Sequence, residues 1–478
     1  MAVPDILLPD PERCDYNKWS VVACDQYTSQ PAYWKRVDAY VGGAPSSLRL
    51  ILPEYLLSES GPHGESGKRG ESGQHGESSP RGESGGHGES GPRGESGPRG
   101  ESGGQAGLVR KKIGAVHAEM EGYLSSGVFA RAISGFVLTE RSFAHGSRHV
   151  PSRWGLVAAI DLERYSYEPG AKPLIRSTEQ TVAERLPSRI DVRRGAALEL
   201  PHVMILADDE QRVLIEPLAK DALSGRFEVL YDFELMENGG HIKGYHIGGE
   251  AIGNVAEAVA TLLCDARDGS SEPLLFAVGD GNHSLAAAKA YWDDIKTALP
   301  QSGQEHNPAR FALAEIVNLH SDAIVFEPIH RALYNVDAGT VMDEFKKYFE
   351  SRSVDNLAGA ATRGPNDFFE YTVYSRGADA KTICIGRSHA GSPIGELQGF
   401  IDALCQKYPA IKVDYIHGLD ELKRLARDEG CVCFAVPPIG KNDFFSTIKR
   451  HGVFPRKAFS MGEANEKRYY LEARKIVP

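Results

Sequence analysis

Apolar segments of two kinds alternate along most of the chain. Short runs rich in branched and aromatic residues predict β-strands at 135–140, 154–162, 201–208, 274–279 and 323–330. Longer stretches with apolar residues at helical spacing predict α-helices at 109–127, 254–267, 341–350 and 396–408. The run at 311–319 suits either element. Because strands that alternate with helices usually form a sheet covered by those helices, the pattern predicts a mixed-sheet α/β (α+β) protein.

One segment, residues 58–107, breaks this alternation. Glycine opens nearly every triplet of the segment, and a strand predicted at 51–57 ends where the repeat begins. Collagen is an alternative interpretation, but the segment's prolines are few compared with the ~15–20% that a collagen triple helix contains. Since the segment has no large apolar residue, it cannot offset the entropy of ordering by burial. We predict a disordered surface insertion.

The length of the chain, 478 residues, exceeds what one hydrophobic core usually supports. Changes in the pattern predict three units: an N-terminal α/β domain at 1–235 that carries the insertion, a segment at 236–352, and a C-terminal α+β unit at 353–478. The last unit is expected to contain a strand meander at 370–377 and 382–388.

Composition narrows the function. The chain is 41% hydrophobic and 25% charged, which is ordinary for a globular protein, and its formal net charge of -11 disfavours nucleic acid as a partner. No apolar run approaches the ~20 residues of a membrane span, and the N-terminus lacks a signal-peptide pattern. The seven cysteines are scattered, and Cys431 and Cys433 are expected to face one side of a strand as core residues. We expect a cytoplasmic protein without nucleic-acid or membrane partners.

The leading candidate site is the segment LLFAVGDGNHSLAAAK at 274–289, which predicts a buried strand, a polar turn and the start of a helix. Gly279 and Gly281 permit a tight turn, and Asn282 or Ser284 could cap the helix. A helix N-terminus offers N–H groups and partial positive charge to an anion such as phosphate. The turn therefore predicts a phosphate site.

Two titratable residues of the same turn could carry chemistry. Asp280 could hold Mg²⁺ or accept a proton, and His283 stands close enough in sequence to take part in acid–base chemistry. The alternative is an Asx turn with a helix cap, in which His283 is merely exposed. The residues of the turn do not decide between these interpretations.

Basic side chains that could bind phosphate are concentrated in other places. Arginines and hydroxyls, which form charge-assisted hydrogen bonds with phosphate, gather at 175–194, where the candidates are Arg176, Thr181 and Arg189. A solvated amphipathic helix is the alternative there. The further candidates, for which surface charge or a structural histidine is the alternative, are His330, Arg331, Lys441, Arg456 and Lys457.

Several longer stretches together resemble the family catalogued as domain of unknown function 1015. They include KWSVVACDQYTSQPAYW, RSTEQT, GDGNHSLAAAK, EPIHR and FPRKAFSMGEANEKRYYLE, and the resemblance spans nearly all of the chain outside the glycine repeat. The Asp-Gly-x-His turn is similar to that of the ParB and sulfiredoxin-like fold, which includes the free serine kinases. The resemblance therefore implies a ParB/sulfiredoxin-like core and a phosphotransferase that acts on the hydroxyl of L-serine.

The resemblance also implies roles for individual residues. The residues that match the signature turn are Asp280, Asn282 and His283. Glu179 and Thr181 match a Glu-x-Thr element that is expected to supply the base. The commoner family turn is D-G-H-H-R, whereas this chain has D-G-N-H-S, so Arg189 or Lys441 is expected to replace the missing arginine.

These inferences lead to the hypothesis of a Mg²⁺-dependent small-molecule kinase with free serine as acceptor and ATP, ADP or pyrophosphate as donor. Glu179 or Asp280 would deprotonate or orient the hydroxyl, while helix-terminal amides, Mg²⁺ and arginines would stabilise the charge on the transferring group. The expected partners are a small-molecule substrate and a phosphoryl donor, and the oligomeric state is left open. The alternatives are a non-catalytic nucleotide-binding regulatory module of ParB type and a metal-assisted phosphoester hydrolase.

Overall fold

A computed structural model describes residues 1–22, 27, 30–53, 56, 101–129, 131–143, 151–200, 203–267, 272–350, 368–386, 392–462, 466–467 and 469–477. The strands are β1 Asp5–Leu8, β2 Val21–Val22, β3 Arg131–Ser134, β4 Phe136–Ser142, β5 Arg153–Asp161, β6 Tyr165–Ser166, β7 Ile175–Ser177, β8 Leu198–Glu199, β9 Met204–Ala207, β10 Val229–Glu234, β11 His241–Ile247, β12 Phe276–Asp280, β13 Phe311–Asn318, β14 Phe326–Tyr334, β15 Phe368–Ser375, β16 Lys381–Gly386, β17 Lys412–His417, β18 Cys431–Ala435, β19 Phe459–Met461, β20 Tyr469–Tyr470 and β21 Arg474–Lys475. The helices are α1 Tyr16–Trp19, α2 Pro31–Val41, α3 Glu101–Ser125, α4 Leu186–Arg193, α5 Ile215–Leu223, α6 Ala251–Arg267, α7 Asn282–Lys296, α8 Gln301–Glu305, α9 Ala338–Glu350, α10 Pro393–Lys407, α11 Leu419–Leu425 and α12 Lys441–His451.

A large mixed sheet organises the first two thirds of the chain. Its strands follow the order β10-β11-β4-β5-β13-β9-β12-β7-β6. β12 is parallel to β7 and antiparallel to β9, whereas β13 is parallel to β9. The carboxyl ends of β7 and β12 therefore lie at one edge of the sheet, and those of β9 and β13 at the opposite edge. With helices packed on this sheet, the predicted mixed α/β class is confirmed.

Both faces of the large sheet are covered. On one face α5, α6 and α7 contribute apolar side chains, such as Trp292, to a core with Ile205 and Val278. On the other face Leu206 and Ala277 share a core with Phe459 and other residues of the C-terminal unit. Because the central strands of the sheet are buried on both sides, most of their residues are apolar and do not alternate with polar ones. For this reason the sequence pattern at 311–319, nearly all of which forms β13, suited either a strand or a helix.

A second sheet follows the order β16-β15-β18-β14-β17, and β19 pairs with the first residues of β14. It begins with β14, ahead of the unit boundary predicted at 352 and 353. The boundary predicted at 235 and 236 falls within the antiparallel pair β10 and β11, so it does not separate two sheets. Cys431 and Cys433 are both buried in β18 with their Sγ atoms 3.6 Å apart, which places them on one side of the strand.

Most predicted elements are present near their expected positions, including the pair of strands β15 and β16 and the helix α10. The strand predicted at 51–57 is wrong at 51–53 and 56, which do not form a strand. Helix α3 begins at Glu101, inside the last residues assigned to the glycine repeat. Residues 58–100 of the predicted insertion lie outside the described residues. Within the described part of the chain, no helix is both long enough and apolar enough to span a membrane.

Candidate functional site

The candidate turn lies where two neighbouring parallel strands end. Ile175 pairs with Phe276 and Ser177 with Val278, so the residues that follow, Thr178 and Glu179, lie beside Gly279 and Asp280. Thr178 joins the two chain segments, because its Oγ1 donates a hydrogen bond to the Val278 carbonyl at 2.6 Å. Two segments about a hundred residues apart in sequence therefore lie side by side at one edge of the large sheet.

Backbone geometry explains the glycines of the turn. Gly281 has a φ of 80°, and a Cβ there would lie 3.0 Å from the Val203 Cα. At Gly279 a Cβ would lie 2.6 Å from the Met461 Cε. A side chain at either position would therefore disturb the turn or its packing against β19.

Gly281 is also the N-cap of α7, so the expected capping by Asn282 or Ser284 is wrong. The buried Asn282 is turned instead to the neighbouring segment, where its Oδ1 accepts a hydrogen bond from the Thr178 amide at 3.3 Å. Ser284 lies in the first turn of the helix, with its amide donating to the Gly281 carbonyl at 3.0 Å. Asparagine at this position therefore ties the helix start to the end of β7.

The carboxylate of Asp280 is held by two groups. Its Oδ1 accepts a hydrogen bond from the Gly281 amide at 2.9 Å, and its Oδ2 lies 3.5 Å from the Lys467 Nζ. Lys467 is only 7% exposed, and its ammonium also donates to the Ser460 Oγ at 3.3 Å. A buried ammonium and a carboxylate thus meet at the N-terminus of α7. Sequence reasoning missed Lys467, although it lies in the C-terminal stretch that carried the family resemblance.

Two buried arginines hold the backbone that carries Lys467. Arg141 donates to the carbonyl of Lys467, and Arg153 donates to the carbonyl of Glu466 at 2.7 Å. The Arg153 guanidinium also lies 4.0 Å from the carboxylate of Glu315, which is fully buried on β13. Because both arginines come from adjacent strands of the large sheet, that sheet positions the C-terminal segment against the turn.

Glu179 lies between the turn and the C-terminal unit. It forms a parallel bridge with Phe454, whose amide donates to the Thr178 carbonyl at 2.7 Å. Burial lowers the pKa of Arg331 to about 10, and the electrostatic influence of Tyr415 and Glu179 opposes this shift. The charge of Glu179 thus partly offsets the effect of burial on this guanidinium.

Basic groups surround an aromatic ring in this part of the C-terminal unit. The Arg331 guanidinium lies 4.5 Å from the centroid of the Tyr415 ring, and the Lys457 ammonium lies 4.7 Å from it. The backbone carbonyl of Arg456, whose side chain is exposed, accepts a hydrogen bond from Arg331 at 3.4 Å. The structure thus brings Arg331, Lys457 and the backbone of Arg456 together around Tyr415.

His283 and Thr181 meet at the segment that follows Glu179. The Val182 amide donates to the His283 Nε2 at 3.2 Å, which engages the lone pair of this nitrogen. The Oγ1 of Thr181 is buried and has no hydrogen-bond partner among the described residues. Buried hydroxyls are normally paired, so Thr181 is unusual in this respect within the described part of the chain.

Other predicted residues are directed elsewhere. Arg176 donates to the carbonyls of Pro173 and Glu272, which precede β7 and β12, so its guanidinium points to the opposite end of these strands. Lys441 donates to the Ser321 carbonyl at 2.7 Å, beyond the carboxyl end of β13 and so at the opposite edge. The structure does not bring these two cations to the turn.

Two further candidates have local contacts. Arg189 donates to the carbonyl of Arg185, one turn earlier in a helix segment that packs on α7. The buried His330 accepts a hydrogen bond from the Val436 amide at its Nδ1. Burial and the charge of Arg331 lower the pKa of His330 to about 4, so its ring is neutral at pH 7 and adds no positive charge to the site.

Magnesium is the cofactor that the resemblance implies. In the described parts of the chain, no three His, Cys, Asp or Glu side chains come together as metal ligands. Mg²⁺ commonly keeps several waters and is held by one or two carboxylates together with phosphate oxygens of a substrate. The carboxylate of Asp280, next to a helix N-terminus, is compatible with that kind of site and not with a cage made of protein ligands alone.

One comparison with known proteins identifies the family. The family model described as "Protein of unknown function (DUF1015)" matches residues 98–403, and no curated protein sequence matches the chain. A conserved hypothetical protein from Pyrococcus furiosus is 11% identical, with a TM-score of 0.31 over 67% of this chain and 95% of the other. A free serine kinase in complex with AMP is 12% identical, with a TM-score of 0.35, and the match covers 67% of this chain and 92% of that one. SbnI from Staphylococcus aureus, with a C-terminal truncation, is 7% identical, with a TM-score of 0.33, and the match covers 64% of this chain and 82% of that one. Since the family model covers more than half of the chain, the protein belongs to the DUF1015 family.

Proposed function

We propose that this protein is a small-molecule phosphotransferase that transfers a phosphoryl group to the hydroxyl of free L-serine. The observation that carries the proposal is the pairing of Asp280 with the buried ammonium of Lys467 at the N-terminus of α7. A carboxylate, an ammonium and helix-terminal amides in one place suit the binding of a phosphoryl group. Serine is the acceptor that the sequence resemblance implies.

The proposed reaction moves the terminal phosphoryl group of the donor to the serine Oγ. The bond between this phosphorus and the leaving oxygen of the donor breaks as the new bond to Oγ forms. The hydroxyl proton passes to the carboxylate of Glu179, which lies on the neighbouring strand end. Lys467 and the amides at the start of α7 stabilise negative charge on the transferring group. Mg²⁺, when bound by Asp280 and donor phosphate oxygens, would neutralise further charge.

Two other residues would orient the site. The His283 Nε2 holds the Val182 amide, so the imidazole fixes the segment that runs from Glu179 to α4. The Oγ1 of Thr181, which is buried without a hydrogen-bond partner among the described residues, lies in this segment. His283 would therefore act by positioning the segment that carries Thr181 and Glu179.

The test is a phosphorus NMR assay of the full-length protein with Mg²⁺, L-serine and ATP, ADP or pyrophosphate in turn. We expect O-phosphoserine with at least one donor, and none when L-alanine, which lacks the hydroxyl, replaces serine. Phosphate release at the same rate with either amino acid would identify a hydrolase instead. Donor binding without turnover would identify a regulatory module, and either result would reject the kinase.

Replacing Lys467 with methionine should raise the KM for the donor. Methionine keeps an unbranched apolar stem but removes a charge-assisted hydrogen bond worth about 2 kcal/mol, or about 30-fold in kcat/KM. Steady-state kinetics on the serine-dependent reaction would measure the change. The control is Lys347→Met, since Lys347 is exposed on α9 and pairs with Glu344 of its own helix. Equal kcat/KM values for the two variants would remove Lys467 from the site.

A further inference from the structure

A separate cavity lies at the opposite edge of the large sheet from the turn. It encloses about 350 Å³ between α5 and the strands β4, β5 and β13. This volume is within the range of pockets that bind small molecules. The cavity is bounded on one side by Ile215 and Ala219 of α5, and Trp154 of β5 completes the apolar wall.

The polar wall of the cavity is acidic. Three carboxylates line it, from Glu140, Glu216 and Asp322, against one guanidinium, from Arg212. Arg212 is at the exposed rim and donates to the His320 carbonyl at 3.4 Å. The excess of negative charge in a partly apolar cavity favours a cationic ligand over an anionic one.

One oxygen of the Glu216 carboxylate is buried without a donor among the residues that the structure describes. The Glu216 Oε1 accepts a hydrogen bond from the Asn318 Nδ2 at 2.8 Å, but the Glu216 Oε2 is buried and has no hydrogen-bond partner among the described residues. Asn318 cannot supply one, because its Nδ2 also donates to the Asp209 carbonyl and its Oδ1 accepts from the His320 amide. Because this oxygen is also shielded from water, a positive charge in the cavity beside the Glu216 carboxylate would stabilise it.

The other side of the cavity is rigid and already organised. The Trp154 ring stacks on Tyr245 with centroids 5.9 Å apart, and the Tyr245 hydroxyl donates to the Glu140 Oε2 at 3.3 Å. Burial and the neighbouring Glu140 raise the pKa of Tyr245 to about 12, so the phenol keeps its proton at neutral pH. Glu140 is thereby held beside an aromatic side chain, and this pairing of carboxylate and aromatic residue is suited to an organic ammonium.

We infer that this cavity binds a small organic cation, namely a primary amine attached to a compact apolar group. The ammonium lies between the carboxylates of Glu140 and Glu216, and the apolar part packs against Ile215, Ala219 and Trp154. The site is independent of the proposed transfer reaction, because it lies at the carboxyl ends of β9 and β13 rather than of β7 and β12.

Isothermal titration calorimetry of the full-length protein with 2-phenylethylamine tests this inference. We expect saturable binding of the amine, and binding about 10- to 100-fold weaker for 2-phenylethanol, which has a hydroxyl where the amine has its ammonium. The anion 3-phenylpropionate should not bind. Absence of saturable binding of the amine, or equal binding of all three compounds, would overturn the inference.

Two variants locate the binding. Glu216→Gln should weaken amine binding by about 10-fold or more, whereas Glu257→Gln on the exposed face of α6 should leave it unchanged. Ala219→Leu fills the cavity without changing its charge and should abolish binding of the amine. Circular dichroism establishes that each variant is folded. If the folded Ala219→Leu protein binds the amine as the unaltered protein does, the ligand binds elsewhere and the assignment is wrong.

Discussion

Asp280→Asn should lower the rate of phosphoserine formation about 10³-fold, the range seen when a charged catalytic group is neutralised. Asparagine preserves the size of the side chain and keeps an oxygen that can accept a hydrogen bond from the Gly281 amide. It removes the charge that pairs with Lys467 and that would hold a metal ion with the donor phosphates. The loss should therefore appear mainly in kcat rather than in the KM for serine, and the serine-dependent phosphorus NMR assay measures both.

A matched variant separates this effect from a general loss of structure. Asp343 is exposed on α9, far along the chain from the turn, so Asp343→Asn changes the net charge equally without touching the site. Its kcat should equal that of the unaltered protein. Thermal unfolding followed by circular dichroism shows whether each protein is folded at the assay temperature. A folded Asp280→Asn protein with normal kcat would exclude Asp280 from the reaction.

The turn itself was predictable from the sequence, because its conformation depends on residues that are neighbours in the sequence. The apolar run before Asp280 predicts a strand, and the glycines with the alanine-rich stretch that follows predict a tight turn into a helix. The capping residue was not predictable, because Gly281 uses a left-handed conformation while Asn282 finds its partner on another strand. Local preference for asparagine and serine at helix caps was overridden by a tertiary contact.

The partners of the turn depend on topology that the sequence does not display. Glu179 lies beside it because β7 and β12 are parallel neighbours, and only the family resemblance linked the two segments beforehand. Long basic side chains were the least predictable. Arg176 is next to the site in the backbone but is directed away along the strand, whereas Lys467 reaches Asp280 from the far end of the chain. The sequence identifies a basic residue, but it does not predict the direction in which the flexible side chain of that residue extends.

The same limitation applies to Glu199, which no sequence pattern singled out and which joins distant segments. Its side chain is 9% exposed and pairs with Arg193 and Arg474, each at 2.7 Å. Its Oε1 also accepts the Leu313 amide at 3.0 Å, which ties β8 and β21 to the large sheet. Removing one partner from a buried ion pair typically costs 3–5 kcal/mol, since the remaining charge stays buried.

Glu199→Gln should therefore lower the free energy of unfolding by about 3 kcal/mol at pH 7, measured by urea denaturation. Burial alone would raise the pKa of Glu199, but Arg474 and Arg193 hold it below the ordinary value of 4.5. A depressed pKa means that this stabilisation is fully present above pH 4.5 and is lost as the pH falls through the lower pKa of the folded state. The difference in free energy of unfolding between the unaltered protein and the Glu199→Gln variant should therefore become smaller in acid.

The control is Glu421→Gln, which breaks an exposed pair with Arg424 and should change the free energy of unfolding by less than about 1 kcal/mol. Equal urea midpoints for the Glu199 and Glu421 variants at pH 7 would show that the buried pairs do not hold these segments together.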